Sequence, residues 1–454
     1  MCCFLACLTA LPFSPLAAEE SGSSPQPVQR VDPLIQKVVA GVSEERIAAI
    51  FRKLESFETR NTLSDPSQSN RGIGVARQWI FDQFKSFSPR LEVSFDVHQI
   101  PKGGRVWKDV ELRNVVAVLP GKMTQATNRW IMVAGHYDTV NLKIPAAMRG
   151  HPEKSAELPA PGVCDDGSGT ACALECARVL SQYEFDTTLV FVAFAGEEQG
   201  LVGAKAMAKR LKSNQQTIEA LLNNDIIGSE ISGNGASDNR RVLVFSEEPN
   251  DSPSRQIARF VRGIAGRYFP EMTVDMIFRH DRFGRGGDHT AFNQEGYPAI
   301  RFTTPNENFD HQHSATDSFT NASASYTARV TRINAAAAAA LALAPKPPIT
   351  KAANPAGRSG PGLRRGSGYD AVLRWEQPDS EPDLAGFVVV IRSTTAPDWE
   401  REIWAGDVRE FTLKNTPIDQ QVFGVKAVDR EGHESPVSAY VTEPRRTFPP
   451  PEEQ

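Results

Sequence analysis

The chain has 454 residues, 40% of them hydrophobic, enough for two or three domains with a full-sized core. Against 55 Asp and Glu stand 50 Lys and Arg, a formal charge of -5, so there is no basic excess to neutralise a nucleic-acid backbone or an anionic membrane. Three of the six cysteines fall in the first seven residues and no Cys-x-x-Cys knuckle occurs, so a zinc site here has to draw on His and carboxylates.

Met1 to Ala18 is an apolar run ending in small residues before Glu19 and Glu20, the pattern of a signal peptide, which predicts a secreted or periplasmic protein. No later apolar run approaches the roughly 18 residues that cross a bilayer, so no membrane span is expected. After a polar, Pro/Ser-rich stretch, helical apolar spacing over Val42 to Ser56 begins behind an N-cap at Ser43, and a second helix is predicted over Gly74 to Phe87. Runs of strand length follow at Leu91 to Gln99, Arg113 to Leu119, Trp130 to Gly135, Thr188 to Ala195, Leu221 to Ile227, Arg241 to Phe245 and Ala299 to Phe302, mostly separated by helical patterns. Several are apolar throughout rather than alternating. That predicts an α/β unit over 19–344 with a mostly parallel central sheet covered by helices on both faces. Its last helix, Ser323 to Ala344, has to stop at Pro345-Lys346-Pro347-Pro348.

A Pro/Gly-rich connector is predicted over 345–368, and short turn-separated strands over 369–445 read as a small all-β sandwich. That segment resembles a fibronectin type III domain, with Trp375 as its core tryptophan. Its expected role is to bind a surface or polymer, or to pack on the catalytic unit.

Five short strings between residues 136 and 317 place acids or imidazoles beside strand ends. In His136-Tyr137-Asp138, residues two apart on an extended chain share a face, so Asp138 can orient His136 toward a metal; a surface histidine is the plain alternative. Asp165-Asp166-Gly167-Ser168-Gly169 is either an acidic turn capping a helix or a carboxylate able to bridge two cations. Glu197 and Glu198 follow a wholly apolar strand; a cation would relieve their repulsion and leave one as general base. Asp225 ends another apolar run, and His313 lies in His311-Gln312-His313-Ser314-Ala315-Thr316-Asp317.

Together the strings GHYDT, DDGSG, EEQGLVGA, NNDIIG, GGDHTAF, GYPAIRF and HSATD resemble the M28 family of zinc exopeptidases, a group that contains secreted bacterial aminopeptidases. The resemblance covers about Val42 to Ala344. It implies two zinc ions, one held by His136, Asp165 and Asp225 and the other by Asp165, Glu198 and His313, with Asp165 bridging and Glu197 as catalytic base. It also implies a cis peptide between Asp165 and Asp166. The expected substrate is a peptide or protein with a free terminus, cut at the amino end. Carboxypeptidase or dipeptidase action, glutaminyl cyclisation with a single zinc, and a non-catalytic receptor-like ectodomain are the alternatives on the same fold. One departure is Gln312, which stands where some relatives carry a tyrosine that helps hold the oxyanion. Asp288 and His289 are expected to shape the pocket or to pair structurally, and His311 to lie behind the ligands.

Overall fold

A computed structural model of the chain describes residues 31–351, 360–366, 369–377 and 381–441; the signal peptide expected over 1–18 lies outside them. Helices α1 (Pro33–Ala40), α2 (Glu44–Glu55) and α3 (Gly72–Phe87) come first, and α4 (Pro152–Ser155), α5 (Ser168–Leu180), α6 (Val202–Ser213), α7 (Pro253–Tyr268), α8 (Asp288–Gln294) and α9 (Ala324–Leu343) alternate with strands. Those strands are β1 (Glu92–Ile100), β2 (Val110–Leu119), β3 (Arg129–His136), β4 (Thr188–Phe194), β5 (Thr217–Asn224), β6 (Arg241–Ser246), β7 (Thr273–Ile277) and β8 (Ala299–Thr303). They form one sheet in the order β1-β2-β4-β3-β5-β8-β6-β7.

The four central strands β4, β3, β5 and β8 run parallel to one another; β1 and β2 join antiparallel, and β6 pairs antiparallel with β8 but parallel with β7. Every residue of β4 and of β8 is buried, as continuous apolarity demands of strands covered on both faces. The edge strand β1 instead alternates between more and less exposed positions. Helices α1, α2, α3, α5, α7 and α9 share one large core on the first face; α6 and α8 build a smaller one on the other. Helix α2 starts where its N-cap Ser43 accepts a bond from Arg46 N, and α9 starts in the same way at Ser323. The Ala335 to Ala340 run of α9 is wholly buried, so small side chains let this helix lie close against its neighbours.

Two antiparallel sheets follow. One has the order β13-β10-β9 and the other β12-β11-β14-β15, with β9 (Gly362–Arg365), β10 (Ala371–Arg374), β11 (Leu384–Ser393), β12 (Arg401–Gly406), β13 (Glu410–Leu413), β14 (Gln421–Asp429) and β15 (Ser438–Ala439). Their shared core contains Trp375, tilted against Phe387 with ring centroids 5.4 Å apart. Strand β9 falls inside the stretch read as a connector: its residues are too few and too basic to show a strand period, and pairing with β10 organises them. The sheets dock on the α/β unit through ion pairs. Arg392 meets Asp251 at 2.6 Å, Arg129 meets Glu381 at 3.1 Å, and His433 meets Asp32 at 3.0 Å. Among the described residues no helix is long and apolar enough to cross a membrane.

Candidate metal centre

The parallel register brings the site together. His136, the last residue of β3, pairs with Phe194 at the end of β4, and Ala134 pairs with Asn223 of β5, so His136 and Asp225 finish side by side at the carboxyl edge of the sheet. Beyond β4 the chain turns through Gly196 at φ +75°, where a Cβ would come within 2.4 Å of Val202, and this sharp turn presents Glu197 and Glu198 over the same edge. Asp165 arrives from the segment that leads into α5, through a cis peptide bond to Asp166. His313 comes from the loop after β8 with a left-handed backbone at φ +52°.

All the predicted side chains meet in one pocket. Asp165 lies at its middle: its Oδ1 is 3.3 Å from His136 Nε2, and its Oδ2 is 2.9 Å from His313 Nε2. His136 Nε2 stands 3.9 Å from Asp225 Oδ1, and His313 Nε2 stands 3.4 Å from Glu198 Oε1. Donor atoms of His136, Glu197 and Asp225 lie within 4.8 Å of one another, as do those of Asp165, Glu198 and His313. The first group thus includes Glu197 beside the expected His136 and Asp225, because Asp138 draws both glutamates inward. Its Oδ1 accepts from Glu197 N at 3.2 Å and its Oδ2 from Glu198 N at 3.3 Å. Asp138 also holds the His136 ring, through its carbonyl oxygen at 3.1 Å and its carboxylate at 3.5 Å from Nδ1.

Charge is badly unbalanced here. Asp138, Asp165 and Asp225 are buried and two glutamates adjoin them, so five acids crowd against two imidazoles. Burial, reinforced by neighbouring carboxylates, pushes the Glu197 carboxyl up to about 8 and Asp225 up to about 6. Burial and the adjacent Asp165 and Glu197 likewise raise Glu198, whose Oε1 is buried without a hydrogen-bond partner among the described residues. Burial alone would raise Asp165 too, but bonds from His136 and His313 hold it well below the usual carboxylate range. A His/carboxylate set of this kind, with an orphaned buried oxygen, fits divalent cations, which favour these oxygen and imidazole donors and cancel the repulsion.

The model of peptidase family M28 matches residues 114–338. A probable zinc metalloprotease of Pyricularia oryzae is 35% identical over 94% of this chain and 87% of its own length. One from Leptosphaeria maculans is 36% identical over 88% of this chain and 95% of its own. The chain belongs to peptidase family M28. The fold is similar to that of a solved structure, the LapA aminopeptidase of Legionella pneumophila, with a TM-score of 0.53 at 19% identity over 72% of this chain and 78% of that one.

Several residues that hold this M28 site were given no role from the sequence. Arg60, fully buried, donates from Nε to Tyr137 O at 2.6 Å and from Nη2 to Gly162 O at 2.8 Å, clamping the segments that carry His136 and Asp165. Burial lowers its pKa to about 10 against the pull of Asp317 and the site carboxylates. Asp317 accepts from Cys164 N at 2.8 Å and Asp165 N at 2.9 Å. Asp166 accepts from His136 N at 3.0 Å, Gly169 N at 2.8 Å and Ile226 N at 3.2 Å, tying β3, α5 and the end of β5. Arg301, buried in β8, pairs with Asp225 Oδ1 at 3.0 Å and Asp281 Oδ2 at 3.2 Å. A charged residue within a wholly buried strand was the available signal for it. Gln312 donates to Asp165 Oδ2 at 2.8 Å, so in this chain it steadies the central carboxylate. His311 bonds Thr316 Oγ1 at 2.9 Å and lies outside both donor groups. His289 stacks on His280, with ring centroids 5.1 Å apart, and its Nε2 lies 3.5 Å from Asp281. Asp288 is buried beside it with neither carboxylate oxygen hydrogen-bonded among the described residues. Cys164, Cys172 and Cys176 are free thiols.

Proposed function

We propose that the chain is a zinc-dependent exopeptidase, holding two zinc ions and removing the amino-terminal residue of peptides outside the cytoplasm. The observation that carries this reading is Asp165, whose two oxygens face His136 and His313 separately, as a carboxylate shared by two cations must. His136, Asp165 and Asp225 would hold one ion, and Asp165, Glu198 and His313 the other. Bound zinc supplies Lewis acidity that makes water a nucleophile near neutral pH and polarises the scissile carbonyl. Glu197, whose carboxylate lies among the donors of His136 and Asp225 without an ion pair to either, takes the proton from water and returns it to the leaving amine. Asp138 keeps His136 in its ligating tautomer and fixes the backbone of Glu197. The zinc metalloprotease names of the curated relatives support the metal, and the aminopeptidase neighbour supports the substrate end.

The experiment compares a peptide with a free amino terminus and its acetylated twin, with and without chelator. We expect turnover of the free peptide only, abolished by chelator and restored by zinc. Equal turnover of both peptides would remove the aminopeptidase reading, and chelator-resistant turnover the metal mechanism.

For 369–445 we read a fibronectin type III-like sandwich, supported by three- and four-stranded antiparallel sheets packed about Trp375. Its ion pairs with the α/β unit favour a packing role over independent binding.

A further inference from the structure

The pocket opens past His313. That side chain keeps 29% of its surface, against 1% for His136, 5% for Asp165 and Asp225, and 7% for Glu198. A chain leaving the pocket past this exposed ligand meets the loop 306–313 that carries it. Of the ten large apolar side chains left exposed among the described residues, four stand around this loop: Leu142 at 61%, Ile231 at 51%, Phe283 at 83% and Phe309 at 68%. Leu142 N donates to His313 O at 2.9 Å, and Asn308 Nδ2 donates to Ile231 O at 3.3 Å. Arg282 and Arg285, on either side of Phe283, both grip Glu307, at 2.9 and 2.6 Å. The Phe283 ring lies under the Arg279 guanidinium at 3.7 Å, and Phe309 lies 5.8 Å from that of Arg285.

Scattered exposed apolar residues need no explanation, but four linked to the one loop that carries His313 mark a recognition surface. Charge does not supply the attraction, because Arg282 and Arg285 are already matched by Glu307 and Asp281. What the rim offers a ligand is aromatic and aliphatic area. We propose that Phe283 and Phe309, flanked by Leu142 and Ile231, bind the apolar or aromatic side chain of the substrate residue that follows the terminal one. This rests on the aminopeptidase reading above, and makes the chain selective for peptides with a large apolar second residue.

The test uses the zinc-loaded full chain and two tripeptides that differ only in Phe or Ser at the second position. Cleavage is followed by kinetics, and binding of uncleavable analogues reduced at the scissile bond is followed by calorimetry. The Phe peptide should be favoured about ten-fold or more in both kcat/KM and Kd. Combining Phe283→Ser with Phe309→Ser should bring both ratios to about one; both side chains are exposed, so the fold survives. Equal treatment of the two peptides by the wild type overturns the proposal, as does a preference that survives both substitutions. Preferential binding of the Phe analogue without cleavage of either peptide sustains the rim and sinks the hydrolase; cleavage of both at equal rates does the reverse.

Discussion

Glu197 is the side chain on which turnover should depend while the fold does not. Its carboxylate reaches His136 and Asp225, while its backbone is held by Asp138 at the N–H and by Gly200 and Leu201 at the carbonyl. Glu197→Gln should keep the fold and the bound metal yet lower kcat by roughly 10²- to 10⁴-fold, the usual share of a general base; near-normal kcat would refute the assignment. Arg60 is the opposite case. Removing it leaves the Tyr137 carbonyl without its Arg60 donor, takes one of two donors from the Gly162 carbonyl and deprives Asp317 of its nearby cation. Arg60→Met should cost about 3–5 kcal/mol in denaturant unfolding, and a loss below 1 kcal/mol would show that the clamp is dispensable. At this scale the donors were legible because each acid or imidazole sits beside an apolar strand run within one short string. Arg60 lies outside every string, and the roles of Asp317 and Arg301, which lie inside two of them, were hidden because each meets its partners only after the chain has folded back over tens of residues.

Between elements, the deciding contact is the close approach of β3 to the start of α5. A Cβ on Gly135 would fall 2.3 Å from Gly169 C, and one on Gly169 would fall 2.2 Å from Asn224 O and 2.3 Å from the Asp166 carboxylate. Gly169→Ala should therefore displace Asp166, which bonds three strand and helix ends, costing about 1–3 kcal/mol and weakening zinc binding in a competition titration with a chelator. Unchanged stability and affinity would mean that the helix simply slides. Strand positions followed from continuous apolarity, and β4 and β8 match it closely. Three features of the sheet did not follow. β5 ends at Asn224 rather than Ile227, because Ile226 turns left-handed at φ +62°. The strands β7 and β12 are short and carry charges, so their period is lost. The antiparallel placement of β6 is set by pairing partners that periodicity does not encode.

Across the whole molecule, the sheets at the C-terminus are latched to the first helix by one histidine. His433 Nδ1 meets Asp429 at 2.8 Å and Nε2 meets Asp32, the N-cap of α1, at 3.0 Å, with Glu431 at 3.9 Å. Burial opposes the charged ring, but the two aspartates outweigh it and hold its pKa at about 9, above the ordinary 6.5. The latch is therefore fully formed below the ordinary histidine value and is lost as pH rises through about 9. His433→Asn should melt at lower temperature than wild type near about pH 6, with the gap closing by about pH 10; a gap independent of pH would contradict the assignment.

The central claim is that distant segments converge on Asp165 to hold a pair of metal ions. Anomalous diffraction at the zinc edge from crystals of the zinc-loaded chain tests it most directly. The account predicts two peaks, one on each side of the Asp165 carboxylate, the first facing His136 and Asp225 and the second facing Glu198 and His313. Peaks elsewhere, or none in this pocket at saturating zinc, would contradict it.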